Sequence, residues 1–445
     1  MKVLRGFDNA RDHLSRRRAL DLDNPPIETS MRGTHLFGEP LPVDEVVRRI
    51  LRDVREEGDI ALDRFAQFFE GTAPSSLEVS WETIVKARET VSPDLIAAME
   101  HAAERIYSFH QSSLPKGWID SEKGYGIKIT PIERVGIYVP GGTAAYPSTV
   151  LMTAIPARVA GVAEIIVTTP GKDGLGPDPT VLAACHMAGV NRVYQVGGAQ
   201  AIAAMSYGTN SIPRVDMVCG PGNIYVTFAK KQVYGHVAVD GLYGPTETII
   251  IADRQADPTF CAADLLAQAE HDSLSTPILI TDSEDLLLKV QHALDFQLTT
   301  LERASIAKTA LTNQGCLIVV DDLDRAFDLA NLFAPEHLCL LVNDPWSYLD
   351  KIRNAGGVFL GETTPEALGD YVAGPSHVMP TGGTARFSSP LGVNQFLKLT
   401  SIVGFSRNLL EELAETTSTI ARFEQLTGHA KSVEARLDNT GSRSD

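Results

Sequence analysis

Residues 134–142 (RVGIYVPGG), 164–171 (EIIVTTPG) and 192–200 (RVYQVGGAQ) decide the fold of this chain. Each begins as a short apolar run rich in β-branched residues and ends in a glycine turn, which is the pattern of a buried strand. Segments with helical spacing separate them, at 149–162 and 178–188. Strand, crossover helix and strand in alternation indicate a parallel sheet.

A second series of apolar runs repeats this pattern later in the chain. The runs are TETIIIAD at 246–253, TPILITD at 276–282, GCLIVVDD at 315–322, HLCLLVND at 337–344 and GGVFLGE at 356–362. We therefore expect an α/β fold with two doubly wound, incomplete Rossmann-like parallel sheets. Small helical appendages are expected at both ends, because the first 30 or so residues and those after about Val393 have a helical pattern.

Further helical segments precede the first series, at 43–69 and 92–112. Because the second series needs helices to cover its sheet, we expect these early helices to pack there and to make that domain discontinuous. The expected division is an N-terminal helical arm at 1–33, a first α/β domain formed by 34–130 with 247–391, a second α/β domain at 131–246, and a C-terminal helical segment at 392–445.

The composition argues against several classes of function. The 445 residues include 39 Lys and Arg and 56 Asp and Glu, a net charge of −17, so a nucleic-acid partner is not expected, because phosphate contacts need clustered basic residues. No apolar run approaches the roughly 20 residues that cross a bilayer, and the N-terminus lacks the apolar segment of a secretory signal. Five scattered cysteines without CxxC spacing favour reduced thiols in a cytoplasmic protein.

Polar side chains suited to acid–base or metal chemistry occur in several places. Gln268 and His271 lie three residues apart, so both project from one face of a predicted helix, and each offers a lone pair to a metal. Glu336 and His337 stand directly before an apolar strand, where a carboxylate beside an imidazole suits acid–base catalysis. On its own, the first pair is more typical of a solvated helix end or cap, and the second is more typical of a loop salt bridge.

Two more places lie towards the C-terminus. The segment 369–393 contains Asp370 and His377 among glycines and prolines, a composition that favours an ordered binding loop. Glu424 and His429 flank a predicted helix end, where His429 by itself would be taken for a surface histidine.

Three glycine turns are candidate phosphate sites. They are VPGG at 139–142, VGGAQ at 196–200 and CGPGN at 219–223, each close to an apolar run. Glycine lets a backbone approach a phosphate closely, yet such turns also serve as ordinary tight connections, and the sequence holds no GxGxxG motif. Phosphate binding and simple turn formation both stay open at this point.

Taken together, these segments resemble the histidinol dehydrogenase family over nearly the whole chain. The resemblance rests on seven segments in the same order: RVGIYVPGG, VGGAQAIAA, GPGN, QAEHD, APEHL, GDYVAGPSHV with PTGGTARFSSPL, and LTGHA. It implies a zinc- and NAD-dependent enzyme that oxidises L-histidinol through L-histidinal to L-histidine. This four-electron oxidation uses two NAD and forms the last steps of histidine biosynthesis.

The resemblance also implies roles for individual side chains. Glu336 and His337 would form the catalytic pair. One zinc ion per subunit would be held by Gln268, His271, Asp370 and His429, NAD would be contacted by Tyr138, Gln200 and Asn223, and substrate would be contacted by Thr246, Gln268, His271, His337, Asp370, His377, Glu424 and His429. In this family the C-terminal segment reaches a neighbouring subunit, so the resemblance implies a homodimer in which Glu424 and His429 complete the other subunit's site.

Two departures from the family pattern bear on the substrate. Thr246 stands where the family usually has serine, and Leu242 and Tyr243 replace its usual proline–alanine pair. Threonine keeps the hydroxyl, whereas an added tyrosine beside the substrate pocket suggests a changed substrate. The alternative to histidinol is therefore another small alcohol, such as sulfopropanediol, oxidised with the same zinc and NAD. A non-catalytic metal-binding module is disfavoured, because Glu336, His337 and the ligand positions are all present.

Overall fold

The computed structural model describes four stretches of the chain, residues 1–15, 35–141, 145–171 and 175–438. The chain divides into two compact units, a first unit from 1–113 with 132–396, and a second unit from 114–131 with 397–445. Both large sheets lie in the first unit. No helix in the described stretches is both long and apolar enough to cross a membrane.

Strands and helices alternate through most of the chain. The strands are β1 Lys2–Arg5, β2 Trp118–Asp120, β3 Tyr125–Pro131, β4 Arg134–Tyr138, β5 Glu164–Thr169, β6 Arg192–Gln195, β7 Met217–Cys219, β8 Ala238–Val239, β9 Glu247–Ala252, β10 Thr276–Thr281, β11 Cys316–Val319, β12 His337–Leu341, β13 Gly357–Leu360 and β14 Leu397–Val403. The α-helices are α1 Phe7–Leu14, α2 Val43–Glu57, α3 Asp59–Glu70, α4 Trp81–Thr90, α5 Pro93–Ser112, α6 Pro147–Ala160, α7 Pro179–Ala188, α8 Gly198–Tyr207, α9 Ile224–Val233, α10 Pro258–Ala269, α11 Glu284–Gln297, α12 Ala304–Asn313, α13 Leu323–Phe333, α14 Ala367–Tyr371, α15 Arg407–Phe423 and α16 Thr427–Asp438.

The two large sheets are parallel throughout and share one strand order. The five-stranded sheet runs β6-β5-β4-β7-β8, which is the order 3-2-1-4-5 along its part of the chain. The six-stranded sheet runs β1-β11-β10-β9-β12-β13, the same order with β1 added at one edge. The predicted α/β fold with two doubly wound parallel sheets is confirmed.

Both faces of the six-stranded sheet are buried, which explains the unbroken apolar runs of its strands. All six residues of β9 are buried. Ile250 packs with α10, α11 and α12 on one face, while Ile249 and Ile251 pack with α1 and α13 on the other. The sheet is therefore covered on both faces, by its crossover helices and by α1.

The early helices α2 to α5 pack on the five-stranded sheet, which corrects the expected grouping of 34–130 with 247–391. α2 and α3 share a core with Tyr138, Ile166 and Tyr194, α4 contacts α7, and α5 contacts α6. The six-stranded sheet already has a helix layer on each face. In contrast, α8 is buried all around, and α2 covers the side of α8 that the sheet leaves open.

The N-terminus joins the six-stranded sheet. β1 pairs in parallel with β11, and α1 packs on α13. A strand therefore stands at the start of the region 1–33 that was expected to be a separate helical arm, because β1 extends the sheet at its open edge. Residues 16–34, which make up most of that expected arm, lie outside the described stretches.

The second unit contains an antiparallel sheet followed by α15 and α16. Its strand order is β14-β3-β2, and β14 pairs with β3 along its full length, from Leu397 beside Pro131 to Val403 beside Tyr125. The segment 392–445, expected to be helical, therefore also supplies a strand, and residues ahead of β4 belong with it. None of the seven residues of β14 is fully buried, so the strand lacks the unbroken buried run of the strands in the large sheets.

Candidate active site

The predicted catalytic residues meet at the amino edge of the six-stranded sheet. Thr246 directly precedes β9, Glu336 directly precedes β12, and these strands are neighbours. Gln268 reaches the same edge because it lies in the last turn of α10, which runs back along the sheet after β9. The convergence is a product of the topology, since 90 residues separate Thr246 from Glu336 along the chain.

The Thr246 hydroxyl bridges two of the predicted functional groups. Its Oγ1 lies 2.7 Å from Oε1 of Gln268 and 2.6 Å from Oε2 of Glu336. A hydroxyl donates one proton, so it serves one of these acceptors at a time unless Glu336 carries a proton of its own. The backbone N–H of Glu247 also donates to Oε2 of Glu336, at 3.2 Å. Glu336 is therefore held in place by two groups and is 8% exposed.

His337 opens β12 and is buried with one ring nitrogen anchored. Its Nδ1 lies 3.3 Å from the carbonyl oxygen of Glu247 and 3.3 Å from Nε2 of Gln268. A proton on Nδ1 can be donated to that carbonyl, which leaves the lone pair on Nε2. Nε2 has no hydrogen-bond partner among the described residues and lies 3.7 Å from Oδ1 of Asp370.

The charges around His337 favour its protonated form. Burial alone lowers the pKa of an imidazole, but the carboxylates of Glu336 and Asp370 outweigh burial and hold the pKa of His337 well above its usual range. Burial of Asp370 is likewise outweighed by His337, which lowers the pKa of Asp370. A cation beside Asp370 would offset this attraction and return His337 towards the neutral form, which accepts a proton.

Two buried carboxylates at this edge were not among the predicted site residues. Glu247 is 1% exposed, and its Oε2 accepts a hydrogen bond from the N–H of Gly382 at 3.1 Å. Burial and the nearby Glu336 raise the pKa of Glu247 to about 8. Glu366 is fully buried, accepts from the Thr248 hydroxyl at 2.7 Å, and has its pKa raised by burial to about 7. Glu247 could have been found from the sequence, because it is a charged residue in the otherwise apolar strand β9. The sequence around Glu366 contains no such indication of a buried carboxylate.

The loop 369–393 packs against the same edge. Asp370 belongs to the short helix α14 rather than to the expected loop, and its carbonyl oxygen lies 2.9 Å from Nδ1 of His377. The hydroxyl of Thr381 accepts a hydrogen bond at 2.7 Å from the N–H of Gly244, two residues before Thr246. These contacts bring the predicted loop residues to the strands that carry the catalytic pair.

The predicted zinc ligands are divided between the two units. Gln268, His271 and Asp370 lie in the first unit, with Gln268 buried and His271 exposed just beyond α10. His429 lies exposed in the first turn of α16, so it begins a helix rather than following one, and Glu424 is exposed at the end of α15. Within the described stretches, no group of three or more His, Cys, Asp or Glu side chains is placed to hold a metal ion.

The residues predicted to contact NAD lie at the carboxyl edge of the five-stranded sheet. Tyr138 ends β4, Gln200 lies in the first turn of α8 after β6, and Asn223 precedes α9 after β7. The Tyr138 hydroxyl accepts from the N–H of Gly198 at 3.2 Å, and Asn223 caps α9 by accepting from the N–H of Tyr225 at 3.0 Å. Sheets with this strand order bind dinucleotides at this edge.

The glycine turns at this edge combine tight packing with open helix starts. A Cβ on Gly141 would lie 2.6 Å from the Pro170 ring, and one on Gly197 would lie 2.8 Å from Pro170. Gly220 has a φ of +108°, and a Cβ there would collide with the Tyr138 carbonyl. α6 and α8 begin at this edge without a side-chain cap from the described residues. Pro147 at the start of α6 has no N–H, and the N–H of Gly198 at the start of α8 already donates to Tyr138. The N–H groups of the next residues, Ser148 and Ala199, can therefore serve an anion such as a phosphate.

A buried ion pair supports the turn before α9. Nζ of Lys230 lies 2.5 Å from Oδ1 of Asp240 and donates to the carbonyl of Gly220 at 2.9 Å. The N–H of Gly220 donates to Oδ2 of Asp240 at 2.8 Å. The ring of Tyr243 covers the ammonium group at 4.6 Å from its centroid. Tyr243, which departs from the family pattern, is therefore part of the packing that holds this turn.

Comparison with known proteins identifies the family. The family model described as histidinol dehydrogenase matches residues 39–437. A histidinol dehydrogenase of Deinococcus radiodurans is 49% identical over 406 residues, which cover 90% of this chain and 92% of that protein. A histidinol dehydrogenase of Dehalococcoides mccartyi strain CBDB1 is 47% identical over 440 residues, which cover 98% of this chain and 100% of that protein.

A solved structure agrees with the sequence comparisons. The crystal structure of histidinol dehydrogenase from Elizabethkingia anophelis matches with a TM-score of 0.89 and 34% sequence identity, covering 99% of each chain. The family resemblance predicted from seven short segments is therefore confirmed. The chain belongs to the histidinol dehydrogenase family.

Proposed function

We propose that this protein oxidises L-histidinol to L-histidine through L-histidinal, and that two NAD accept the four electrons. Family membership supports this substrate and this cofactor. The observation that carries the proposal is the buried pair of Glu336 and His337, whose Nε2 has no hydrogen-bond partner among the described residues. An imidazole nitrogen held in this way is suited to accept a proton from an alcohol.

The first oxidation needs a base at the substrate hydroxyl. As the C–H hydrogen leaves with its electron pair as hydride, Nε2 of His337 accepts the hydroxyl proton. The Glu247 carbonyl holds the ring through Nδ1 at 3.3 Å, which fixes the direction of Nε2. The Asp370 carboxylate, 3.7 Å from Nε2, stabilises the imidazolium that forms.

The second oxidation needs water at the aldehyde carbon. Glu336 accepts a proton from that water as the water oxygen bonds to the carbonyl carbon. The hydrate then transfers the second hydride to NAD. Thr246 and the Glu247 N–H both contact Oε2 of Glu336. The other oxygen, Oε1, is therefore the atom assigned to take the proton. No cysteine nucleophile is needed, and all five cysteines are buried.

We assign one zinc ion per subunit to Gln268, His271, Asp370 and His429. An amide oxygen, a carboxylate and two imidazoles form a mixed nitrogen and oxygen donor set that zinc accepts. Nε2 of His337 has no hydrogen-bond partner among the described residues and lies 3.7 Å from Oδ1 of Asp370. A substrate held by zinc at Asp370 would supply a polar partner for this nitrogen. Bound zinc would anchor the amino and imidazole nitrogens of the substrate.

The zinc assignment is tested by metal content. His271→Asn removes one ligand and is expected to lower the zinc bound per subunit, measured by inductively coupled plasma mass spectrometry. His101→Asn, which changes an exposed histidine on α5, is the matched control. Equal zinc content in the two variants would contradict the assignment.

We place NAD at the carboxyl edge of the five-stranded sheet, in contact with Tyr138, Gln200 and Asn223. The uncapped starts of α6 and α8 supply backbone N–H groups for the diphosphate. The turn before α9 is held by the buried Lys230–Asp240 pair. The same stretch of chain continues from Asp240 to Thr246, so the cofactor edge and the catalytic edge are directly connected.

We propose a homodimer in which Glu424 and His429 complete the site of the other subunit. Both side chains are exposed in the second unit. The same unit exposes apolar side chains, such as Leu399, Ile420 and Phe423, which is 88% exposed. Exposed apolar area of this kind marks an interaction surface.

Mixed dimers test this arrangement. His337→Asn and His429→Asn are each expected to be inactive alone. If the two histidines of one site come from different subunits, a dimer with one copy of each variant has one intact site. Activity is therefore expected to return when the two proteins are dissociated, mixed and reassembled. Absence of recovery in verified mixed dimers would contradict the shared site.

We place the enzyme in the cytoplasm. All five cysteines are buried, and none of them forms a disulfide bond within the described stretches. Cysteines without disulfide bonds are typical of a reducing compartment.

Neither departure from the family pattern favours a different alcohol. Tyr243 covers the buried ammonium of Lys230. Thr246 uses its hydroxyl to bridge Gln268 and Glu336. Serine carries that same hydroxyl, so histidinol stays the substrate that the geometry supports.

The yield of NADH tests the proposed reaction. With zinc and excess NAD, each L-histidinol consumed is expected to yield two NADH, followed by absorbance, and one L-histidine, followed by chromatography. The control is a panel of small alcohols that includes sulfopropanediol. Turnover of another alcohol without turnover of histidinol would overturn the substrate assignment.

A further inference from the structure

We propose that Glu70 binds the adenosine ribose of the dinucleotide and makes the site select NAD over NADP. Glu70 is the last residue of α3, a helix that lies outside the strand–helix–strand series of the five-stranded sheet. The inference rests on the proposed use of NAD and names a residue that sets the choice of nucleotide.

Glu70 lies against the turn at the carboxyl end of β5. Its Oε2 is 3.4 Å from the position that a Cβ on Gly171 would occupy, and Gly171 lies two residues beyond the end of β5. The carboxylate also acts electrostatically on Tyr138, at the end of the neighbouring strand β4. Glu70 is therefore placed over β4 and β5, at the edge where the dinucleotide is assigned.

The position of the catalytic edge decides which half of the nucleotide reaches Glu70. Asp240 binds the Gly220 turn, which follows β7, and the chain then runs from Asp240 to Thr246 at the catalytic edge. The nicotinamide must face that edge, so it belongs on the β7 side of β4. The adenosine then extends to the opposite side, over β5, as in other sheets with this strand order.

The chemistry of Glu70 fits a ribose and disfavours a phosphate. A carboxylate accepts hydrogen bonds from ribose hydroxyls and repels the extra 2′-phosphate of NADP. Glu70 forms no ion pair with a Lys or Arg of the described stretches. Burial raises the pKa of Glu70, and a more basic carboxylate is a stronger acceptor.

Equilibrium binding tests this proposal without any turnover. NAD and NADP are titrated by calorimetry into the full-length protein, Glu70→Gln, Glu70→Asp and Asp63→Asn. The last variant neutralises an exposed carboxylate on the same helix and is the matched control. Melting temperatures establish that each variant is folded.

The expected result is a change in nucleotide preference that is confined to position 70. Glu70→Gln is expected to bind NAD about tenfold more weakly, because a hydrogen bond to a charged acceptor is lost. It is expected to bind NADP more tightly than the unaltered protein does. Glu70→Asp keeps the charge, so it is expected to keep the preference for NAD, and Asp63→Asn is expected to change neither affinity.

Two results would overturn the proposal. One is a ratio of NAD to NADP affinity that is the same in Glu70→Gln and Asp63→Asn. The other is failure of the unaltered protein to bind either nucleotide, which would also remove the cofactor assignment. Tight, Glu70-dependent binding of NAD without turnover of histidinol would instead contradict the proposed reaction and leave this inference standing.

Discussion

The five-stranded and six-stranded sheets have the same strand order, yet the residues that we propose to be functional lie at opposite edges of the two sheets. Tyr138 ends its strand, and Gln200 and Asn223 follow theirs, at the carboxyl edge of the first sheet. Thr246 and Glu336 precede theirs, at the amino edge of the second. The first arrangement obeys the usual rule for open α/β sheets, and the second does not.

Helix ends explain how the two edges differ. At the carboxyl edge the crossover helices begin, and their N-termini carry partial positive charge that suits phosphates. At the amino edge helices such as α10 end, and their C-termini favour cations. The side chains agree with this difference, since the carboxylates at the amino edge include the buried Glu247 and Glu336 and the half-buried Asp370. One topology therefore offers one edge that suits anions and another edge that suits cations.

The largest expected effect separates the catalytic edge from the cofactor edge. Glu336→Gln keeps the shape of the side chain but cannot accept a proton from water. Oxidation of L-histidinal is expected to slow by a factor of about 10² to 10⁴, while the dissociation constant for NAD stays unchanged. Stopped-flow absorbance of NADH and calorimetric titration measure the two quantities. If Glu336→Gln oxidised L-histidinal at the original rate, Glu336 would not be the group that accepts the proton from water.

The next effect concerns the support of the cofactor edge. Asp240→Ala leaves the buried ammonium of Lys230 without its partner and frees the Gly220 turn, so it is expected to lower the free energy of unfolding by about 3–5 kcal/mol. Glu100→Ala breaks an exposed ion pair with Arg88 and is the control, with an expected loss below about 1 kcal/mol. Urea denaturation compares them. Similar losses would mean that the Lys230–Asp240 pair is not structurally important.

A smaller effect tests the packing of the glycine turns. Gly197→Ala places a Cβ 2.8 Å from Pro170, and such overpacking is expected to cost about 1–3 kcal/mol in the free energy of unfolding. NAD binding is expected to weaken as well, because Gly197 precedes α8. Gly404→Ala, which meets no atom within 4 Å, is the control. If Gly197→Ala kept its stability and its NAD affinity, Pro170 would be able to move aside, and the close packing of this turn would not be needed.

The last effect is a pH dependence at the catalytic edge. The pKa of Glu247 is raised to about 8, so the folded protein keeps this proton above the pH at which the unfolded chain releases it. The folded state therefore loses stability as pH rises from the unfolded pKa, about 4.3, towards 8. Glu247→Gln removes this contribution. The melting temperature of the metal-free variant is expected to fall less between pH 5 and pH 8 than that of the unaltered protein, and equal slopes would contradict a protonated Glu247.

The sequence predicted the features that depend on local pattern. The unbroken apolar runs identified strands buried on both faces, and their alternation with helices identified both parallel sheets. The family segments then supplied the site residues, including Thr246 and Gln268, which the structure joins by a hydrogen bond.

The features that depend on packing between distant segments were not predicted. The apolar stripe of α2 could cover either sheet, as far as its sequence pattern shows. It covers the five-stranded sheet because α8, on that sheet, has an apolar side that needs a covering helix. β1 is too short to be distinguished from a polar N-terminus. Glu366 lies close to the candidate active site only because it contacts Thr248 on β9 and Cys339 on β12.

His337→Asn tests the division of labour between the two edges most directly. The variant removes the proton acceptor at the amino edge and leaves the carboxyl edge intact. Histidinol oxidation is expected to fall by a factor of about 10² or more, while calorimetry gives the same dissociation constant for NAD as the unaltered protein. A variant that still oxidises histidinol at the original rate, or that loses NAD binding along with turnover, would contradict this account.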